Sequence, residues 1–469
     1  MGKIINGYIM PHPPIIVPGV GKGRELEAAA TVAAVKKAAS EISKDKPTTI
    51  VLSSPHAPCF SDHAYISDAP RLVGSLAAFD SPEPSLDFEN NLELVSAIVE
   101  KARIAGISAG GLSNRVKEEY GIPEALDHGA MVPLYFISQA LKEFKLVHIS
   151  TPFLSNSELY KLGKCIAAAV AVSGERVVYV ASGDMSHRLT KGAPGGYHPQ
   201  GHIFDEDLIS KLKAADVAGI LDIETSFMEV AGECGTRSIM MMLGAMDGHP
   251  LETDVYSYEG PFGVGYLVAK IQPGETDLDV DILGTHYKNK IVTMDTLRQN
   301  ESDCVKLARQ TLETYIKEHR RMAIPQWLPQ SFLDQQAGVF VSLKKDGKLR
   351  GCIGTIGPTQ KHIAGEIIHN AISAGTQDPR FEAVKAEELP ELVYSVDILG
   401  NPEKIESMAQ LDPKRYGVIV SLGARRGLLL PNLEGIDTPQ AQVEIALQKA
   451  GISQLEDYEM ERFEVVRYH

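Results

Sequence analysis

Apolar and polar positions along the first 270 residues alternate between two periods. Short runs rich in β-branched residues predict strands at 4–10, 48–54, 146–150, 176–182 and 264–271. Between them, apolar residues recur every three or four positions and predict amphipathic helices at 24–43, 89–106 and 157–171. Strands alternating with helices of that length predict an α/β domain with a central sheet flanked by helices. The pattern breaks in the polar stretch "QPGETDLDVDILGTHYKNK" (272–290). Beyond it come a helix at 303–319 and short strands within 337–357, 391–399 and 416–431, which predict a compact α+β domain. The expected organisation is therefore 1–273, a linker at 274–294, and 295–469.

Length agrees with two domains, since 469 residues exceed what one core usually serves. The net charge of −15, without a Lys/Arg block, argues against a nucleic-acid surface. No apolar run reaches the roughly 20 residues that span a bilayer, and a secretory leader is not legible at the N-terminus. A cytoplasmic protein with small-molecule or protein partners is expected, with no membrane contact. The five cysteines are scattered and form no CxxC, which predicts free thiols.

Chemistry concentrates where the predicted strands end. In "KIINGYIMPHPPIIVPGV" a strand runs into His12, fenced by Pro11, Pro13 and Pro14; proline cannot donate to a sheet, so the strand stops and the histidine is held in a stiff loop. "TTIVLSSPHAP" places His56 the same way, and "RVVYVASGDMSH" places Asp184 and His187 past a third strand. In open α/β sheets such tips converge on one edge. Two neutral imidazoles on short tethers suit a divalent first-row metal, and a carboxylate would complete the facial triad of non-haem Fe(II) oxygenases. The third-ligand candidates are Glu233 and Cys234, at a Gly-marked helix start before an apolar run; a carboxylate favours Fe(II) or Mn(II), a thiolate softer metals. His128, in "LDHGAMVPLYF", either faces the same cleft or caps the helix with Asp127. His198 and His202 read as a loop or lid, and His63, His148 and His249 as structural residues. His187 lies farther past its strand than His12 and His56, which suits an acid–base residue oriented by Asp184.

The segments "MPHPPIIVPGV", "SSPHAP", "DHGAMVPL" and "ASGDMSHRL" resemble the class III extradiol ring-cleavage dioxygenases, the LigB-like family, and its Memo-like branch. The resemblance implies Fe(II) on His12, His56 and Glu233, His187 as catalytic residue, His128 beside the substrate, and a catechol-like diol as that substrate. The Memo-like branch carries a cysteine at the late position, so "ECG" keeps Glu233 and Cys234 both open, and implies a metal-binding adaptor as the alternative to an enzyme. The C-terminal part is similar to the AMMECR family through "LRGCIGT" (349–355), "QDPRFEAVKAEELPEL" and "YGVIVSLGARRGLLLP". The fusion resembles the A proteins of AmmeMemoRadiSam systems, which implies a radical SAM partner. Within "LRGCIGT", Cys352 is either a thiol activated by Arg350 or a small buried hydrophobe, and Asp378–Phe381 either a turn with an internal ion pair or the frame of a cleft beside it.

Overall fold

A computed structural model describes residues 2–277, 279–433 and 435–469. The chain divides into two compact units, Met1–Lys290 and Ile291–His469.

In the first unit the strands are β1 (Lys3–Met10), β2 (Thr49–Ser54), β3 (Ala64–Tyr65), β4 (Arg71–Leu76), β5 (Ser81–Glu89), β6 (Ala109–Gly110), β7 (Lys145–Ser150), β8 (Arg176–Ser182), β9 (Leu251–Glu259) and β10 (Tyr266–Pro273). Six of them form one sheet in the order β7-β2-β8-β1-β10-β9. The first four run parallel, and β10 and β9 close the edge antiparallel. β2 is buried along its whole length, as expected of a parallel strand covered on both faces. Helices Leu92–Ile104, Asn156–Ser173 and Thr236–Ala245 pack on one face, and Ala29–Asp45 and His128–Ala140 on the other. The five strands and three helices expected here are all present. Unforeseen are β9, a half-exposed edge strand lacking a clean apolar alternation, and the hairpin β4–β5, which takes the first residue of the helix expected at 89–106.

The division between the two units falls inside the stretch expected to be a linker, 274–294. Helix Ile282–Gln299 runs through the second half of 274–294. Ile282 and Leu283 pack against the first unit's core, and buried His286 lies 2.6 Å from Asp222, so apolar contact outweighs the stretch's polar composition.

The second unit contains β11 (Val339–Lys345), β12 (Lys348–Gly354), β13 (Leu392–Leu399), β14 (Glu403–Ile405), β15 (Tyr416–Leu422), β16 (Arg425–Leu429) and β17 (Glu459–Tyr468). They form an antiparallel sheet in the order β12-β11-β13-β17-β15-β16, with β14 also on β17. Helices Asp303–Glu318 and Ile363–Thr376 cover one core and Pro439–Ala450 another. Among the described residues no helix is long and apolar enough to cross a membrane.

Because each unit closes its own core, residues 1–290 and 291–469 expressed separately should each give a cooperative thermal transition. Two molten products, by near-ultraviolet circular dichroism, would contradict this.

Candidate metal centre

β1, β2 and β8 lie side by side, so the loops leaving their carboxyl ends meet. His12 follows β1, His56 follows β2, and Asp184 and His187 follow β8. Their histidines are joined by His128, the first residue of helix His128–Ala140. One ring nitrogen from each of His12, His56 and His128 falls within a group whose atoms all lie within 4.8 Å of one another. His12 Nε2 and His56 Nε2 are 3.0 Å apart. The rings of His56 and His128 are 4.0 Å apart, and Phe79 packs edge-on against His128.

Hydrogen bonds fix how His12 faces this centre. The Ser182 hydroxyl donates to the Gly129 carbonyl at 2.5 Å, which uses its single proton. His12 Nδ1, 2.9 Å from the same oxygen, is therefore the N–H donor, and Nε2 presents a lone pair to the other imidazoles. The His12 backbone N–H donates to Asp184 Oδ1 at 2.9 Å. Burial, reinforced by the neighbouring imidazoles, pushes His12 and His56 down to about 3, so both are neutral at pH 7. His128 and His187 are also lowered by burial, partly offset by nearby carboxylates. A cluster of neutral imidazoles is the donor set that a divalent first-row ion requires.

The two third-ligand candidates part company. Glu233 turns toward the helix start, where Oε2 accepts from Thr236 N and Thr236 Oγ1, both at 2.6 Å. It is a helix-capping carboxylate outside the imidazole group, because the orphan N–H groups of helix Thr236–Ala245 compete for it. Cys234 turns inward, its Sγ 3.7 Å from His12 Nε2 and 3.8 Å from His187 Nε2. Burial and the Asp184 charge raise its thiol well above the usual range. Gly183 and Gly235 make this possible: a Cβ on Gly183 would sit 2.1 Å from the Gly235 Cα, so the two loops touch through their backbones. Cys234 N and Gly235 N both donate to the Asp184 carbonyl, and Asp184 N donates to Cys234 Sγ.

His187 stands outside the trio, with Asp184 Oδ2 3.9 Å from its Nε2 and also 3.9 Å from His12 Nε2. Burial raises Asp184 to about 6 against the pull of its hydrogen bond and the histidines. His128 does both things open in the sequence: it begins a helix capped by Asp127 and it faces the centre. Its ring nitrogen falls in the same group as those of His12 and His56. His148, read as structural, contacts Asp127 Oδ2 at 3.1 Å, while Ser54 donates to Asp127 Oδ1 at 2.5 Å. His148 and Ser182 lie inside strands, where no loop or proline signals a role. His198 precedes helix Gln200–Lys213, and His202 lies within it rather than in a loop.

In the second unit Cys352 is half-buried on β12, with Ser342 Oγ 3.2 Å from its Sγ. Arg350 is tied to Glu388 at 2.9 Å and donates to the Glu382 carbonyl rather than addressing the thiol. Asp378 pairs with Arg380 at 2.7 Å, accepts from Cys352 N, and brings Arg380 to the Cys352 carbonyl.

The first unit's buried histidines make metal-free stability depend on pH. Between pH 3 and 6.5 the unfolded chain binds protons at His12 and His56 that the folded chain refuses, so stability falls as pH falls. His128 and His187 add to this. Asp184 and Asp205, each raised by burial to about 6, oppose it over a narrower interval than His12 and His56 span, and Glu233, also raised by burial, opposes it in the same direction. Urea melts of chelator-treated protein should show a lower midpoint at pH 5 than at pH 7.5; an equal or higher one would show that these rings protonate freely in the folded state.

Comparison with known proteins finds a family match in each part of the chain. Residues 6–269 match the catalytic LigB subunit of aromatic ring-opening dioxygenase, and residues 305–469 match AMMECR1. A protein of Clostridium acetobutylicum is 42% identical over 474 residues, covering 99% of both chains. One from Thermotoga maritima is 48% identical over 170 residues, which is 36% of this chain and 98% of that one. Among solved structures, an uncharacterized protein from Pyrococcus horikoshii is 32% identical over 35% of this chain and 88% of its own, with a TM-score of 0.33. The chain thus belongs to the family of the LigB catalytic subunit of aromatic ring-opening dioxygenases, here carrying an AMMECR1 domain on the same polypeptide.

Proposed function

We propose that the first unit is a non-haem Fe(II)-dependent oxidoreductase of the extradiol ring-opening class, acting on a catechol-like diol. The observation that carries this reading is the trio of neutral imidazoles gathered at the carboxyl edge of the sheet. His12, His56 and His128 would hold the ion, with Cys234 beside them. Bound there, Fe(II) supplies Lewis acidity toward a diol and electrons toward O2. The protein contributes the rest. His187, partly exposed at the rim, takes a proton from a substrate hydroxyl and returns it to the product. Asp184 holds the His12 backbone and faces both His12 and His187, so it orients the pair. A radical SAM protein is the partner that the sequence resemblance of the fusion implies, and five free thiols fit the cytoplasm.

A second reading, a metal-binding adaptor without oxygenase activity, is favoured by one observation: a thiol, not a carboxylate, lies next to His12. Metal analysis of freshly purified protein, followed by oxygen-uptake assays across catechols, separates the two. Iron with diol-dependent uptake supports the enzyme; a tightly held metal with no uptake on any diol supports the adaptor; no metal at all defeats both.

A further inference from the structure

In the second unit a group of polar and nucleophilic side chains gathers around Cys352. β12, β11, β13 and β17 are neighbours in one sheet. Val341, Leu343 and Val396 face the core beneath helices Asp303–Glu318 and Ile363–Thr376, so the residues alternating with them point to the opposite face. On that face the strand register sets Ser342 between Cys352 and Ser395, and Arg467 beside Asp397. The Asp378–Phe381 turn closes the row from the free edge of β12, where Asp378 accepts from Cys352 N at 2.9 Å and Arg380 donates to the Cys352 carbonyl at 3.2 Å.

The thiol is therefore one member of a set. The Ser342 hydroxyl donates to its Sγ at 3.2 Å. Asp378, and after it the Cys352 thiol, hold the Arg380 guanidinium above its usual range; Asp397 does the same for Arg467, where the charge of the Cys352 sulfur contributes again. The two carboxylates lie beneath and the two guanidiniums above: the side chains of Asp378 and Asp397 are 2% and 5% exposed, those of Arg380 and Arg467 54% and 37%. Each arginine gives Nε and Nη2 to its aspartate, and neither Nη1 has a hydrogen bond among the described residues. What meets solvent beside the sulfur is thus cationic although the cluster as a whole is balanced, and a free guanidinium edge suits a carboxylate.

The chemistry open to this thiol is narrow. Acyl transfer would call for a general base, and among the described residues no imidazole or carboxylate hydrogen-bonds the sulfur. Thiol–disulfide exchange requires only a reachable sulfur and a leaving thiolate. We propose that Cys352 is an exchange site for small disulfides that carry carboxylates. Its sulfur attacks one sulfur of the incoming disulfide, the S–S bond of that molecule breaks, and a mixed disulfide forms on Cys352. The departing half leaves as a thiolate that takes up, through solvent, the proton Cys352 has lost; Cys352 is oxidised and the departing half is reduced. This site is independent of the metal centre and of the function proposed for the first unit.

The test mixes the full-length protein, under nitrogen at pH 7.5, with dithiodipropionate, hydroxyethyl disulfide or cystamine, which are alike in size and anionic, neutral and cationic. Acid-quenched samples are mapped by peptide mass spectrometry, and the rate at Cys352 is divided by that of the same cysteine in urea-unfolded protein to remove each reagent's own reactivity. The normalised rate should be at least about tenfold higher for dithiodipropionate than for cystamine, with hydroxyethyl disulfide between them, and the margin should shrink as salt is raised. R467K should keep the margin and folded R467Q should lose part of it; an unchanged margin in R467Q would remove Arg467 from the site. Wild-type protein in which Cys352 is not modified, or reacts without preferring the anionic reagent, overturns the proposal, and that result needs no variant to fold.

Discussion

Replacing His12 and His56 together by alanine should abolish metal binding in the first unit. Their Nε2 atoms are 3.0 Å apart, and the hydroxyl of Ser182 fixes the His12 tautomer so that its lone pair points at the partner ring. Both rings are neutral at pH 7, so a metal need displace no proton from His12 Nε2. Losing an orienting partner alone usually weakens a metal site about 10–100-fold, which is the effect expected of Ser182→Ala; losing two ligands should exceed it. Single variants then settle the third position. His128→Ala should lose metal and Glu233→Gln should keep it, because the Glu233 carboxylate is engaged at the helix start. Elemental analysis of folded preparations checks this. Full occupancy in the His12→Ala/His56→Ala protein would place the metal elsewhere.

His187→Ala should retain the metal and lose turnover by roughly 10²–10⁴-fold, the usual worth of a positioned acid–base group. Its ring stands outside the imidazole trio, with Nε2 3.8 Å from Cys234 Sγ and 3.9 Å from Asp184 Oδ2. Burial lowers its affinity for a proton while Asp184 partly restores it, so the ring is a free base at neutral pH. The acid limb of the rate profile should therefore fall below 6.5: activity is present above the His187 pKa and is lost as pH drops through it. Metal content and oxygen uptake measured on the same samples decide the matter. Iron lost from His187→Ala with unchanged circular dichroism would move His187 into the ligand set.

Much of this site is legible before any coordinates. Pro11, Pro13 and Pro14 mark a strand end, and the same signature at His56 and the "SGDMSH" run give three strand tips bearing histidine or aspartate. The parallel order β2-β8-β1 then brings those tips together, as strand-tip placement requires. What the residues themselves leave open is where side chains point. "ECG" offers a carboxylate and a thiol on adjacent residues, which project in different directions, and only the contact of Gly183 with Gly235 decides that Cys234 faces inward while Glu233 caps the helix.

The sequence by itself determined the strand and helix periods, the two-part organisation, and which histidines lie beyond strand ends, because these depend on local φ restriction and on the spacing of apolar residues. Tertiary structure alone decided that His128 completes the imidazole group and that Ser182 sets the His12 tautomer. It also decided that residues 282–299 form a helix despite their polar composition. Each of those outcomes depends on residues far apart in the chain competing for the same hydrogen bonds and the same buried space. No periodicity or motif in one stretch encodes the result of such a competition.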